Sequence, residues 1–300
     1  MENIKHAVVT GAAGFIGKPL VTSLVKNGVR VLAVDKNPLD IKGCKSLELD
    51  ISLAGALDDY VHEDTVIFHL AAKASVQGSV IDPASDFKNT CYGVFQILET
   101  AKKAKCKVIF PSTASIFDPT NTLPVSEQSF VRPSSPYGAA KVAGEAYCFV
   151  YHRCYGVDVR IARMFSVYGC GMNRFAIHDI IRKIQKDNRC ITLLGNGKQI
   201  RDYLYIDDVV EGLKLIASNG EAGEDYNLAS GKGISILNLA KTTASLMGYP
   251  NIDIKTSGKS FIGDVPMWFG DISKIRDIGF EPTVELLDGL KRTINWLANN

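Results

Sequence analysis

The chain has 300 residues, 34 Lys and Arg against 32 Asp and Glu, and a formal net charge of +2. That length allows one large or two modest domains with a substantial core, and the composition is that of a globular protein. Acids and bases are mixed along the chain, with no basic block for nucleic acid, no acidic tail, and no apolar run long enough to span a bilayer.

The first candidate strand, 7–10, begins almost at once, which leaves no room for a signal peptide, so a cytoplasmic location is expected. It runs into Gly11-Ala-Ala-Gly14-Phe15-Ile16-Gly17, with a glycine at every third position and a helix expected over 15–27. Glycine tolerates positive φ and lets a ligand approach the backbone closely. The turn therefore brings backbone N–H groups and a helix N-terminus to where a pyrophosphate can sit. Such turns also occur without a ligand, and here the context decides. Residues 29–35 form an apolar strand ending in Asp35, which completes a β–α–β unit. A carboxylate there accepts hydrogen bonds from both ribose hydroxyls and repels a 2′-phosphate, favouring NAD over NADP, although Lys36 weakens the preference.

Further candidate strands are 46–49, 66–70, 108–112 and 157–163, with helices between them, notably 86–105 and 137–155. Short apolar runs without polar alternation fit parallel strands covered on both faces. The expected fold is α/β: a Rossmann-type doubly wound parallel sheet with a smaller C-terminal substrate-binding lobe. Residues 1–165 with about 203–229 form the cofactor domain in this reading, and about 166–202 with 230–300 form the lobe. Ligands of such sheets bind at the carboxyl ends of the strands. Gly11, Asp35, Asp50, Ala71, Thr113 and Arg163 stand at such ends and are expected to converge on one cleft.

Tyr137-Gly-Ala-Ala-Lys141 follows a proline cluster, so a helix starts near Tyr137, and its i and i+4 positions share a face. A free tyrosine titrates at about 10 and is a poor base at neutral pH. A neighbouring ammonium, and a positively charged nicotinamide, would lower that value and make the pair an acid–base centre for a hydroxyl proton. Alone, Y-x-x-x-K is weak, because solvated helices carry it by chance; the upstream glycine turn strengthens it. Ser112, Thr113 and Ser115 offer hydroxyls to orient the reacting oxygen, and some of them simply cap the strand end. The seven cysteines form no C-x-x-C pair, and no His/Cys cluster has metal spacing, so reduced thiols and no metal are expected.

Taken together, these motifs resemble the extended short-chain dehydrogenase/reductases, specifically the UDP-glucose 4-epimerase-like members of the NAD-dependent epimerase/dehydratase group. The resemblance runs from the first strand to Trp296. The glycine turn has the G-x-x-G-x-x-G spacing of that group. The resemblance implies that Gly11, Gly14, Phe15, Ile16, Gly17 and Asp35 bind NAD, that Asp50 and Ile51 flank adenine, and that Leu70, Ala71 and Ala72 line the cofactor. It implies that Asn89 braces the site and that Thr113, Tyr137 and Lys141 are catalytic, with Tyr137 and Lys141 also touching NAD. For the substrate it implies Thr113, Ser115, Ser166 and Arg201, the arginine contacting a nucleotide diphosphate. It further implies a homodimer formed through helices 86–105 and 137–155.

Three departures stand out. Ser166 replaces an asparagine of the group pattern, Phe261 replaces an arginine, and Phe117-Asp118 replaces Tyr-Gly. A diphosphate still needs positive charge, for which Arg174 and Lys259 are candidates. Dehydratases of the group carry an acidic pair after the catalytic threonine, and decarboxylases carry a glutamate at the position of Ser115. Here Ala114 and Ser115 follow Thr113. The expected activity is therefore epimerisation at C4 of a UDP-hexose through a transient 4-keto sugar. A nucleotide-sugar reductase or dehydrogenase is the alternative, and a non-catalytic NAD-binding regulator a more distant one.

Overall fold

The computed structural model describes residues 4–259, 263 and 265–300. Strand β1 (His6–Thr10) leads into α1 (Gly17–Lys26), followed by β2 (Arg30–Asp35), β3 (Lys45–Glu48) and β4 (Thr65–His69). Two short helices follow, α2 (Val76–Ile81) and α3 (Pro83–Phe87). A π-helical turn (Lys88–Tyr92) joins α3 to α4 (Gly93–Ala104). Then come β5 (Lys107–Thr113), a 3-10 turn (Ala114–Ile116), α5 (Pro136–Tyr155) and β6 (Val159–Met164). The rest comprises β7 (Ser166–Tyr168), α6 (Phe175–Lys186), β8 (Cys190–Leu193), β9 (Ile200–Tyr205), α7 (Ile206–Asn219) and β10 (Asp225–Leu228). It closes with β11 (Gly233–Ser235), α8 (Ile236–Leu246), β12 (Asp253–Thr256), α9 (Ser273–Asp277) and α10 (Leu286–Ala298).

Seven strands form one sheet in the order β10-β6-β5-β4-β1-β2-β3, with every pairing parallel. Strand side chains alternate between faces. Ala7 and Val9 join Leu20 and Leu24 of α1 and Leu213 of α7 on one side. Val8 and Ile67 join Ile97 and Leu98 of α4 and Cys148 of α5 on the other. Burial on both faces explains why these strands read as continuous apolar runs. Truncating a fully buried leucine such as Leu24 or Leu98 to alanine should cost about 2–5 kcal/mol.

Two smaller sheets, β11-β9-β7 and β12-β8, pack with α6, α8 and α10 around Tyr168, Ile177, Ile181, Leu239 and Leu290. Strand β9 runs across position 203 and belongs to the three-stranded sheet, with a further parallel bridge from Ile200 to Met267, whereas β10 belongs to the large sheet. Asp202 fastens β9 from inside. Its buried carboxylate accepts from Ser230 N (2.8 Å), Ser230 Oγ (2.6 Å), Gly231 N (3.0 Å) and Gly270 N (3.2 Å).

Two elements differ from expectation. The helix expected over 86–105 is interrupted by the π turn, which takes one extra residue and shifts the faces on either side of it. The helix expected over 15–27 starts only at Gly17, because the glycine turn occupies the residues before it.

Candidate active site

The strand order reverses between β1 and β4, the place where open α/β sheets form their crevice. Gly11 has φ +69°, and a Cβ there would lie 2.7 Å from Ala71 N and from Leu70 C. A Cβ on Gly17 would overlap the Gly11 carbonyl oxygen. At Gly14 a Cβ would meet only that same oxygen, at 3.0 Å, so the outer side of the turn is bare backbone. Helix α1 carries no side-chain N-cap and no acid in its first turn. Its dipole and the exposed turn therefore fit the pyrophosphate of a dinucleotide. Phe15 and Ile16 are half-buried and pack against the core of the smaller sheets.

Asp35, at the end of β2, is fixed beside this turn. Its Oδ2 accepts from Ala13 N at 3.0 Å, and its Oδ1 accepts from Asn37 N at 2.9 Å and Asn37 Nδ2 at 3.1 Å. Asp50 accepts from Ser52 N at 2.9 Å, which holds its carboxyl below the usual range. Ile51 is buried and lies against Gly93. Leu70, Ala71 and Ala72 follow β4, half-buried, with Ala71 N donating to Thr10 Oγ1 at 3.3 Å. His69 Nδ1 lies 2.9 Å from the same hydroxyl, and burial drives the imidazole down to about 3.

The reacting groups meet where β5 ends and α5 begins. Pro136 occupies the first turn of α5, and Ser135 caps it by accepting from Gly138 N at 3.2 Å. This fixes Tyr137, whose N–H donates to Ser79 Oγ at 3.1 Å. Thr113 closes β5 beside the Tyr137 phenol, and its Oγ1 lies 3.2 Å from Ser115 Oγ. Lys141 is buried, donates to Pro111 O at 2.7 Å, and sits 4.6 Å above the Phe110 ring.

The electrostatics correct one expectation. Burial pushes the Tyr137 phenol up to about 12, opposed by the neighbouring Thr113 hydroxyl and by Arg174. Burial likewise takes the Lys141 ammonium down to about 8. Desolvation outweighs the i,i+4 attraction because both groups are sealed from water.

Two other expected residues point elsewhere. Arg163 does not line the cleft. It is 4% exposed and locked to Glu145 (2.8 Å), Asp225 (2.6 Å) and the Glu127 carbonyl (2.8 Å). Asn89 turns back on its own helix and donates to Ser85 O at 2.7 Å. Sequence reasoning missed Asp86 and Thr90, which are buried toward α5, and no motif singled them out. Ser166 opens β7 opposite Tyr203 of β9, and on β9 the Arg201 guanidinium lies 4.6 Å over Trp268. Phe261 falls outside the described residues. Among the described residues no cluster of His, Cys, Asp and Glu fits a metal, all seven cysteines are free, and no helix is long and apolar enough to cross a membrane.

The family model described as "NAD dependent epimerase/dehydratase family" matches residues 7–229. The chain belongs to this family. NAD is accordingly the cofactor of this epimerase/dehydratase-family protein, in agreement with the crevice described above. It is similar to a UDP-glucuronate 4-epimerase of Thermodesulfobacterium geofontis, 32% identical over 321 residues, covering 98% of this chain and 97% of that one. It is also similar to a dTDP-glucose 4,6-dehydratase of Streptomyces niveus, at 28% identity over 98% of this chain and 93% of that one. Among solved structures, the UDP-glucose 4-epimerase of Thermotoga maritima with UDP-glucose superposes with a TM-score of 0.91. It is 30% identical and covers 98% of this chain and 99% of that one. The family thus spans epimerases and dehydratases, and the site must distinguish between them.

Proposed function

We propose that this protein is an NAD-dependent nucleotide-sugar epimerase acting at C4 of a UDP-hexose. The observation that carries the reading is the pairing of Thr113 with Tyr137, followed directly by Ala114 and Ser115 in the 3-10 turn. No carboxylate stands in that turn to protonate or deprotonate the sugar, so the centre suits oxidation and re-reduction of one carbinol.

NAD, when bound, supplies the acceptor and donor of hydride. Tyr137 Oη takes the C4 hydroxyl proton as the carbinol becomes a ketone, and returns it once the sugar has presented its other face. Thr113 hydrogen-bonds the reacting oxygen. Lys141, held by Pro111, contributes positive charge and orients the nicotinamide ribose. Gly11, Gly14, Gly17 and Asp35 hold the pyrophosphate and adenosine ribose. Asp50 and Ile51 border the adenine, and Leu70–Ala72 border the rest of the cofactor. Residues 166–202 and 230–300 are read as the lobe for the nucleotide sugar, with Ser166, Arg201 and Ser115 as contacts and Arg174 as a further cation.

Two copies are proposed to pair through α4 and α5. In support, Tyr92, Tyr147, Val150 and Tyr155 are exposed there, and Phe95 bridges Tyr92 (6.0 Å) and Tyr147 (5.8 Å).

The test is incubation of the purified protein with UDP-glucose or UDP-galactose, followed by NMR of the anomeric region. Interconversion with no net change in NADH absorbance supports the reading. A net change points to a dehydrogenase, a 4-keto-6-deoxy product points to a dehydratase, and no turnover of UDP-, GDP-, CDP- or dTDP-sugars refutes it.

A further inference from the structure

Asp86 is wholly buried, and neither of its carboxylate oxygens has a hydrogen-bond partner among the described residues. Four residues on, Thr90 is equally buried and its hydroxyl is equally unpartnered. Both belong to the helical stretch of α3 and the π turn, which packs against α5, the helix that carries Tyr137 and Lys141. A carboxylate out of water with no donor is costly, so it must either stay neutral or face a compensating charge.

The charged and titratable groups that act on this carboxyl can be enumerated. Lys141 and Tyr137 face it from α5, Lys73 from the segment after β4, and Asp82 from the turn before α3. Lys73 is engaged with Asp82 at 3.4 Å. Lys141 in turn is faced by Glu145 and Cys148 on α5 and by His69 on β4. Glu145 is committed to Arg163 through two hydrogen bonds, of 2.8 and 3.1 Å. His69 is neutral, and burial keeps the Cys148 thiol protonated. Tyr137 is faced from the other side by Arg174. Among these groups, Asp86 is the acid with no committed cation. The Lys141 ammonium uses one of its three N–H donors on Pro111.

We propose that Asp86 is a positioning residue of the reaction centre: its buried carboxylate is the counter-charge that keeps Lys141 an ammonium beside Tyr137. The inference rests on the reading of Lys141 as part of that centre. Burial pushes the Asp86 carboxyl up and Lys141 draws it back, while burial lowers Lys141 and Cys148, Glu145 and Asp86 in turn oppose the drop. Each group supports the charged form of the other. Asp86 also acts against ionisation of Tyr137.

The test is a pH titration of the full-length protein by NMR, with 13C at lysine Cε and aspartate Cγ. Asp86→Asn should lower the Lys141 midpoint, and Lys141→Met should raise the Asp86 midpoint, each by about one pH unit. The two shifts should be equal, because coupling between sites is reciprocal. One folded variant is enough to read a shift, and a midpoint that does not move overturns the proposal. The wild-type protein gives a third reading that needs no variant: an Asp86 signal of a protonated acid at pH 7 also overturns it, whereas a carboxylate signal supports it. The titration reads charge rather than turnover, so failure of the epimerase reading leaves it standing, and the converse holds.

Discussion

Lys141 donates to the carbonyl oxygen of Pro111 at 2.7 Å, which joins helix α5 to strand β5 beneath the reaction centre. The lysine thus has a structural partner in addition to its expected chemical one. Tyr137→Phe should lower kcat about 10²–10⁴-fold with the fold intact, because only a proton-transfer group is removed. Lys141→Met should lower kcat and also melt at a lower temperature, because it leaves the Pro111 carbonyl buried and unbonded. Thermal melts alongside turnover assays check both, and equal Tm losses in the two variants would contradict the assignment.

Asp35 is held by three hydrogen bonds that leave acceptor capacity for ribose hydroxyls. Asp35→Ala should weaken NAD binding about 10–100-fold, the value of a charge-assisted hydrogen bond or two. It should also narrow the gap between NAD and NADP, and calorimetric titration of both cofactors measures this.

His69 makes stability fall in acid. Its ordinary value is 6.5 and the fold lowers it to about 3, so the unfolded chain binds the extra proton between those values. Its contribution is complete above about 6.5 and declines as pH falls toward about 3, by at most about 1.4 kcal/mol per pH unit. Urea unfolding at pH 7.5, 5.5 and 4.5 measures the slope, and His69→Gln should flatten it.

Glu145 and Arg163 are each 4% exposed, and the arginine also holds Asp225. Glu145→Ala removes one of the two carboxylates on a buried guanidinium, with two hydrogen bonds, and should cost about 1–3 kcal/mol of stability. Denaturant midpoints check the loss, and a change near zero would show that the pair contributes nothing net.

The aromatic face of α4 and α5 carries the dimer proposal. Tyr147→Glu and Val150→Glu together should convert a dimer to a monomer in light scattering after size exclusion. A wild-type monomer at micromolar concentration would refute the pairing.

Much of the fold was legible in the sequence because β1, β2, β4, β5 and β6 are buried on both faces and so carry uninterrupted apolar runs. Gly11 was legible for a different reason: the close approach of Leu70 and Ala71 leaves no room for a side chain. Arg163 was misread because a strand end that faces the crevice and one that faces a buried acid look the same in sequence. The expectation for Asn89 came from the resemblance, which does not report the π turn that sets its direction. There the asparagine faces its own helix, while Thr90 turns inward. The pKa of Tyr137 depends on how completely water is excluded, which spacing alone does not report.

Asp202 gives the strand that carries Arg201 a mechanical character. Its neighbour Arg201 lies on a strand anchored from within to the loop after β10 and to Gly270. Moving that strand would strip hydrogen bonds from a buried carboxylate, at roughly 1–3 kcal/mol each. The arginine is therefore mounted on a fixed jaw. In the proposed function, where Arg201 contacts the nucleotide, any gripping falls to rotation of its side chain, because the strand beneath it is held still.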